Sequence, residues 1–442
     1  MTGPLTNPAF RTLFAAQVAS LLAVGLLTVA LTLAAYRIGG ASAGEILGLF
    51  LALKMVAYVV LAPLAEAVLR GKPRKPVMIG LDLGRMVLLV PMAFAATTLQ
   101  IAVLSFAFFA LAAAFTPLYQ SVIPDVLPDE DTYSRALAWS RIAYTLEAVL
   151  SPVIAAALLG VIRPEYLFLA AAFAFVGSIL ALVATRFPAK EVGAGTKPFL
   201  KRAVNGLRIY RRTPRLRGLF LLNLALSLAM AWVLVNSVVF AAARLGDAET
   251  HYPVLMAFYG LGAAAGALLV PVLVRRFGER AVMVAGALGF AACGPVILLP
   301  LSYSGILALW SGFGLTSSLV LTPGGLVITR SAQREDRPAV FAAQFSLSHA
   351  GWLLAYPLAG WLGTAVGLTP ALLVLSGLAI AVAVVATRVW PDQDPVQRTH
   401  SHPELPEDHP HLQDVPASGP GHQHRHDFRI DDLHPDWSRS TG

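Results

Sequence analysis

The sequence predicts an all-α polytopic membrane protein: twelve transmembrane helices in two six-helix halves, followed by a disordered cytoplasmic tail. Three observations predict it. Hydrophobic residues make up 57% of the chain and charged residues only 13%, about half the charge that a water-soluble domain carries. Apolar runs of about 20 residues, the length that crosses a bilayer, recur along the chain. Lys and Arg gather in alternate loops, which is a topological signal.

The expected spans are roughly 11–36, 44–69, 76–98, 100–124, 133–160, 164–186, 216–243, 252–275, 280–303, 304–330, 337–365 and 369–390. The first run is too long for a signal-peptide core and reads as a retained helix. The single cysteine, Cys293, lies within an apolar run, so a disulfide framework is excluded.

The even-numbered loops and their flanks hold Arg70, Lys72, Arg74 and Lys75, then Arg135, then ten Lys/Arg between Arg186 and Arg217. Arg275, Arg276 and Arg280 follow, then Arg330, Arg334 and Arg337. The odd-numbered loops hold only Arg37, Arg163 and Arg244. By the positive-inside rule the even loops and both termini are cytoplasmic, in a bacterial-type inner membrane. The formal charge of +8 is thereby a matter of topology, and a nucleic-acid partner loses its support.

The longest internal loop divides the chain into a half at 1–187, a basic linker at 188–215, a half at 216–390 and a tail at 391–442. The halves echo one another. Arg70 and Val77-Met78 recur as Arg275 and Val282-Met283, Thr116-Pro117 as Thr322-Pro323, and Pro152 as Pro357, all at an offset of 205 or 206. A common offset is the mark of a transporter built from two parallel repeats.

On these features the chain resembles the major facilitator superfamily. The segment from Phe115 to Asp129 is similar to the junction of spans 4 and 5 in its proton-coupled export branch. The segment from Leu150 to Leu159 resembles that branch's antiporter motif, with Ser151, Ala155 and Ala156 where glycines are usual. Asp82 and Arg85 fit the same branch. In the loop between spans 2 and 3 the match departs: Arg70 takes the place of the family's aspartate and Glu66 that of its glycine. The resemblance implies a monomeric transporter whose spans 1, 4, 7 and 10 line a central cavity.

Ionisable groups at membrane depth are costly and mark transport paths or buried pairs. Lys54 is expected mid-span 2, Glu147 mid-span 5 with Arg141 two turns toward the cytoplasm, and His349 mid-span 11. Glu147 is either a proton carrier or half of a permanent ion pair with Arg141 or Lys54. His349 either binds a proton or metal, or makes a polar helix contact. Asp82 and Arg85, spaced i, i+3, form a local pair. They are expected to lie shallow, in a cytoplasmic gate with Glu66, Arg70, Arg275 and Arg276. Gln17, Tyr119, Gln120, Asn223, Asn236 and Gln344 are candidate cavity residues.

Eight of the ten histidines fall in residues 400–442. They are His400, His402, His409, His411, His422, His424, His426 and His434, interspersed with carboxylates. Such a set suits Ni²⁺, Co²⁺, Zn²⁺ or Cu²⁺. Proline and acid content predicts a disordered segment. The tail resembles the histidine-rich C-termini of nickel-resistance permeases in the same superfamily, through His409 to Leu412 and Ile430 to His434. That resemblance implies export of Ni²⁺ or Co²⁺.

No nucleotide-binding loop of the G-x-x-x-x-G-K-[ST] kind is present. The expectation is thus a gradient-driven transporter in the bilayer, not an enzyme, exchanging protons for a metal ion or small molecule and needing no resident cofactor. The competing expectation is an exporter of a hydrophobic drug or metal chelate, to which the sparse membrane charge is suited.

Overall fold

The computed structural model describes residues 4–61, 69, 72–127, 129–187, 199–333, 336–394, 397–402, 406, 412, 423–431, 433–434 and 437. Among these, the chain is almost entirely helical. The first half comprises α1 (Pro8–Gly39), α2 (Ala43–Val56), α3 (Arg74–Met92), α4 (Thr98–Val126), α5 (Glu130–Leu159) and α6 (Leu167–Ala184). A linker helix, α7 (Phe199–Arg212), leads into α8 (Pro214–Leu245), α9 (Ala248–Cys293), α10 (Tyr303–Leu321), α11 (Gly324–Ser331), α12 (Arg337–Ala365) and α13 (Leu368–Val389). Two short strands follow, β1 (Gln397–His400) and β2 (His424–Asp427).

Eight stretches of the described residues are long and apolar enough to cross a membrane. Two of them, at 54 and 51 residues, are long enough to cross twice at 1.5 Å per residue. The first turns back at Gly40, with φ of 52°, and the second at Gly278, with φ of 78°. Both are left-handed conformations that a side chain disfavours. The two remaining expected spans coincide with α3, which carries Asp82 and Arg85, and α12, which carries Gln344 and His349. At Thr322-Pro323 the tenth span breaks into α10 and α11, whereas α4 runs through Pro117.

Polar caps set the helix starts. Asn7 accepts from the amides of Ala9 and Phe10 ahead of α1, Thr97 and Gln100 form a capping box on α4, and Asp129 accepts from Thr132 N ahead of α5. Each satisfies backbone donors that a helix start leaves unpaired.

Within the first half α6 packs on α1 and α3; within the second, α13 and α12 pack on α8, and α9 on α10. Across the halves α2 packs on α12 and α5 on α9. The α2–α12 contact relies on missing side chains. A Cβ on Gly48 would stand 2.7 Å from the Tyr356 carbonyl oxygen, and one on Gly360 would overlap the backbone of Gly44. Asn236 fills the adjoining space against Gly44 and Gly363, and its Nδ2 donates to the Ala359 carbonyl at 2.9 Å. Tyr252 adds a bond to Thr32 Oγ1 at 3.2 Å. All of these lie at the end of the bundle away from the basic loops, so the halves close there.

The tail departs from the expected disorder over its described residues. β1 and β2 pair antiparallel, with His400 opposite His424 and Arg398 opposite His426. Phe428 and Ile430 join the main hydrophobic core, with Trp437 packed against it. Composition emphasised proline and acid; it did not register these three anchors, which give the segment an apolar side to bury.

Candidate functional site

A polar cluster sits where the halves meet. Lys54 and Tyr58 are one helical turn apart on α2 and its continuation. The Lys54 ammonium lies 5.8 Å from the Tyr58 ring centroid and 5.4 Å from that of Phe109 on α4. From the other half, α12 brings Phe345 and His349, again one turn apart. The His349 ring lies 5.7 Å from Tyr58 and 3.8 Å from Phe345, and Phe345 stacks on Tyr58 at 6.5 Å. His349 Nδ1 lies 2.7 Å from the Phe345 carbonyl. A carbonyl only accepts, so Nδ1 carries the proton and Nε2 presents the lone pair.

Glu147 approaches from α5. A Cβ on Gly25 of α1 would overlap the Ser151 hydroxyl and lie 2.5 Å from Glu147 Oε1. Glycine at position 25 therefore lets the carboxylate lie against α1. The charge of Lys54 acts on both Glu147 and His349. No ion pair within 4.0 Å joins Lys54 to Glu147 among the described residues, so the two are coupled across a gap. Arg141 lies on α5, but its side chain is outside the described residues, as are Glu66 and Arg70.

Asp82 and Arg85 pair as the i, i+3 spacing predicts, and the pair is enclosed by helices. Asp82 is 0% exposed and Arg85 2%. Ser178 donates to Asp82 Oδ2 at 2.6 Å, Arg85 donates to Ser20 Oγ at 3.3 Å, and the guanidinium lies 4.2 Å from Phe115 and 4.7 Å from Phe175. The pair thus ties α3 to α1, α4 and α6 inside the first half. Helix packing, which a one-dimensional count of depth omits, encloses it. Arg275 and Arg276 are exposed, and Arg276 stacks on its neighbour Phe277 at 5.2 Å.

The cavity candidates separate. Gln17 and Tyr119 come together: Gln17 Oε1 accepts from Tyr119 at 2.8 Å and from Ser140 at 3.0 Å, joining α1, α4 and α5. Asn223 donates to the Leu219 carbonyl of its own helix, and Gln120 is exposed. Asn236 is packed between helices rather than lining a space. Gln344 accepts from Tyr210 of the linker helix.

The tail forms a second site. Of its eight histidines, His409, His411 and His422 lie outside the described residues; the other five converge. His400, His426 and His434 form one group whose ligand nitrogens lie within 4.8 Å of one another, and His400, His402 and His424 form another. His434 Nε2 lies 3.0 Å from His400 Nε2 and 3.1 Å from His402 Nε2. Burial, reinforced by the neighbouring imidazoles, pushes His400 down to about 3 and His402 down to about 4. Both rings are therefore neutral, the state that ligates metal.

The hairpin is docked on the second half. Arg215, at the start of α8, lies 3.7 Å from Asp394 Oδ2 and 4.9 Å over the Trp437 ring, which Arg398 faces at 4.6 Å. Gln333 donates to Asp431 Oδ2 at 2.8 Å, and Arg330 donates to the Asp394 carbonyl.

Tyr58, Phe109 and Phe345 were not among the sequence candidates. Tyr58 follows Lys54 by four and Phe345 precedes His349 by four, so helical spacing marks both. Phe109, Arg215, Asp394 and Trp437 carry no such local signal.

Comparison with known proteins accords with this architecture. No curated protein matches. Solved structures resemble the fold at low identity. The nucleoside transporter NupG aligns with a TM-score of 0.69 at 12% identity, over 86% of this chain and 98% of its own. A bacterial homolog of the human lysosomal transporter Spinster, inward-facing and unoccupied, aligns with a TM-score of 0.68 at 16% identity, over 89% and 100%. A POT family transporter in complex with 5-aminolevulinic acid aligns with a TM-score of 0.69 at 12% identity, over 86% and 96%. The family model described as Major Facilitator Superfamily matches residues 13–246 and again 226–417. Matched once over each half, the chain belongs to the Major Facilitator Superfamily.

Proposed function

We propose that this secondary transporter exports a divalent transition metal, Ni²⁺ or Co²⁺, from the cytoplasm in exchange for protons. The observation that carries the reading is the convergence of five tail histidines beside the basic-loop end of the second half. The gathering of Lys and Arg in the even-numbered loops supports a cytoplasmic location for that end and both termini, in an inner membrane. Metal would thus be met before export.

The coupling machinery in this reading is Glu147, Lys54 and His349. Glu147 carries the proton. Lys54, held between aromatic rings and acting on both partners, senses whether Glu147 is charged. A change at Glu147 on α5 then alters the balance of charge against His349 on α12, across the interface where the halves rock. Moving a dication outward against an inside-negative potential costs about 4.6 kcal/mol per 100 mV, so exchange for more than one proton is required near concentration balance.

A second reading rests on a specific observation. Among the described membrane residues the interface cluster offers Glu147 and His349 as metal ligands, but it also offers a cation over Tyr58 and Phe109, with Phe345 stacked on Tyr58. That setting suits an anionic, aromatic or chelated solute. A strain lacking the protein separates the two. Sensitivity to Ni²⁺ or Co²⁺, partly rescued by a chain ending at residue 390, supports metal export. Unchanged metal tolerance with increased dye accumulation supports the organic solute.

A further inference from the structure

We infer that the tail binds one divalent transition-metal ion per chain, on Nε2 of His400, His426 and His434 with His402 as fourth ligand, and that the ion clamps the tail to the C-terminal half. The inference rests on the metal reading of the tail, not on metal being the cargo.

Tautomers carry the argument. His400 Nδ1 lies 3.2 Å from the Arg398 carbonyl, His426 Nδ1 2.8 Å from the Asp427 carbonyl, and His434 Nδ1 2.8 Å from Asp431 Oδ1. Those oxygens only accept, so each Nδ1 holds a proton and Nε2 is the atom each ring has left to offer a metal. The Nε2 atoms of His434 and His400 stand 3.0 Å apart. Their ligand atoms converge with that of His426 to within 4.8 Å of one another, the spacing that a shared cation needs. An acceptor on the second nitrogen of each ring is how metal-ligating histidines are held. Four imidazoles without a thiolate favour Ni²⁺, Co²⁺, Zn²⁺ or Cu²⁺ over Mg²⁺ or Ca²⁺.

His400 belongs to both three-histidine groups. With its Nδ1 committed to a carbonyl, its one Nε2 serves one ion, so the cluster takes one ion, not two.

The same residues reach the transporter. Asp431 holds His434 through Oδ1 and accepts from Gln333, at the α11–α12 junction, through Oδ2. Trp437, three residues past His434, lies between Arg215 of α8 and Arg398 of β1. An ion that joins β1, β2 and His434 therefore also fixes Asp431 on Gln333 and Trp437 on Arg215. Binding stabilises the docked tail by the ion's preference for it over the undocked one. Cytoplasmic metal thereby sets how firmly the α8 and α11–α12 ends are braced.

The test uses the full chain in nanodiscs, with His409, His411 and His422 replaced by alanine so that only the converging set is read. Ni²⁺ is titrated calorimetrically, and hydrogen exchange is followed with and without it. The expected result is one Ni²⁺ per chain, with slowed exchange in 397–400, 424–434 and the segment around Gln333. Asp431→Asn, close in shape, weakens binding about 10- to 100-fold, and His434→Ala abolishes it. Gln333→Ala keeps the stoichiometry and loses the slowed exchange at the α11–α12 junction. Two equal equivalents, unchanged affinity in Asp431→Asn, or slowed exchange confined to the tail would overturn the inference. A chain that exports no Ni²⁺ yet binds one ion in this way supports it and overturns only the export reading.

Discussion

Lys75 and Arg280 do the same work in the two halves. Lys75 Nζ donates to the carbonyls of Val183 and Thr185 at 2.6 and 2.9 Å, tying the start of α3 to the end of α6. Arg280, offset by 205, donates to the carbonyls of Trp390 and Thr387 at 2.6 and 2.9 Å, tying the ninth span to the end of α13. Each cation meets carbonyls that a helix end leaves unpaired, where the helix dipole is negative. The internal repeat is therefore chemical as well as architectural. Arg280→Ala should cost about 1.5–3 kcal/mol, the worth of hydrogen bonds to a charged group, read as a lowered melting temperature. Lys75→Ala should cost less, because its side chain can still be replaced by water at a more open end.

Gly25 is a second point of leverage. Any side chain there strikes Ser151 and crowds Glu147. Gly25→Ala should destabilise the protein by about 1–3 kcal/mol, as overpacking does, and should move Glu147 off α1. The check is a thermal melt alongside proton-coupled uptake into inverted vesicles. Unchanged stability and coupling would mean that the α1–α5 contact is looser than described.

Asp82 and Arg85 distinguish a gate from a brace. As a buried pair with further partners in Ser20 and Ser178, it should cost about 3–5 kcal/mol to break by removing either charge alone. The double variant Asp82→Asn/Arg85→Leu should recover part of that loss, since no charge is then stranded. Full melting stability in Arg85→Leu, together with an altered transport rate, would favour the gate over the brace.

Glu147→Gln keeps the shape of the side chain and removes its proton chemistry. The expected outcome is normal membrane insertion with transport no longer driven by a pH gradient. Transport in the variant that still follows the gradient would make Glu147 structural. Lys54→Met should also uncouple transport, since the charge that acts on both Glu147 and His349 is then gone.

The spans and the two halves were legible because hydropathy and loop charge are local, additive signals. The Asp82–Arg85 pairing was legible from i, i+3 spacing, while its enclosure was not, because burial depends on what α1, α4 and α6 bring alongside. Lys54, Glu147 and His349 stood out as isolated charges in apolar runs. Their aromatic surroundings required the register of α2 against α12. The tail misled most. Its composition predicted disorder, and the structure joins His400 to His434 across 34 residues beside a strand pairing that no periodicity announced.

The central claim is proton-coupled export of a divalent metal. It is tested most directly by reconstituting the full chain in liposomes that enclose a Ni²⁺-sensitive dye, adding Ni²⁺ outside and imposing a gradient that is acid inside. In molecules whose cytoplasmic face is outward, the account predicts Ni²⁺ entry with proton release from the lumen, faster as the gradient steepens and insensitive to it in Glu147→Gln. Ni²⁺ entry at the rate of protein-free liposomes, with an organic dye carried instead, would contradict it.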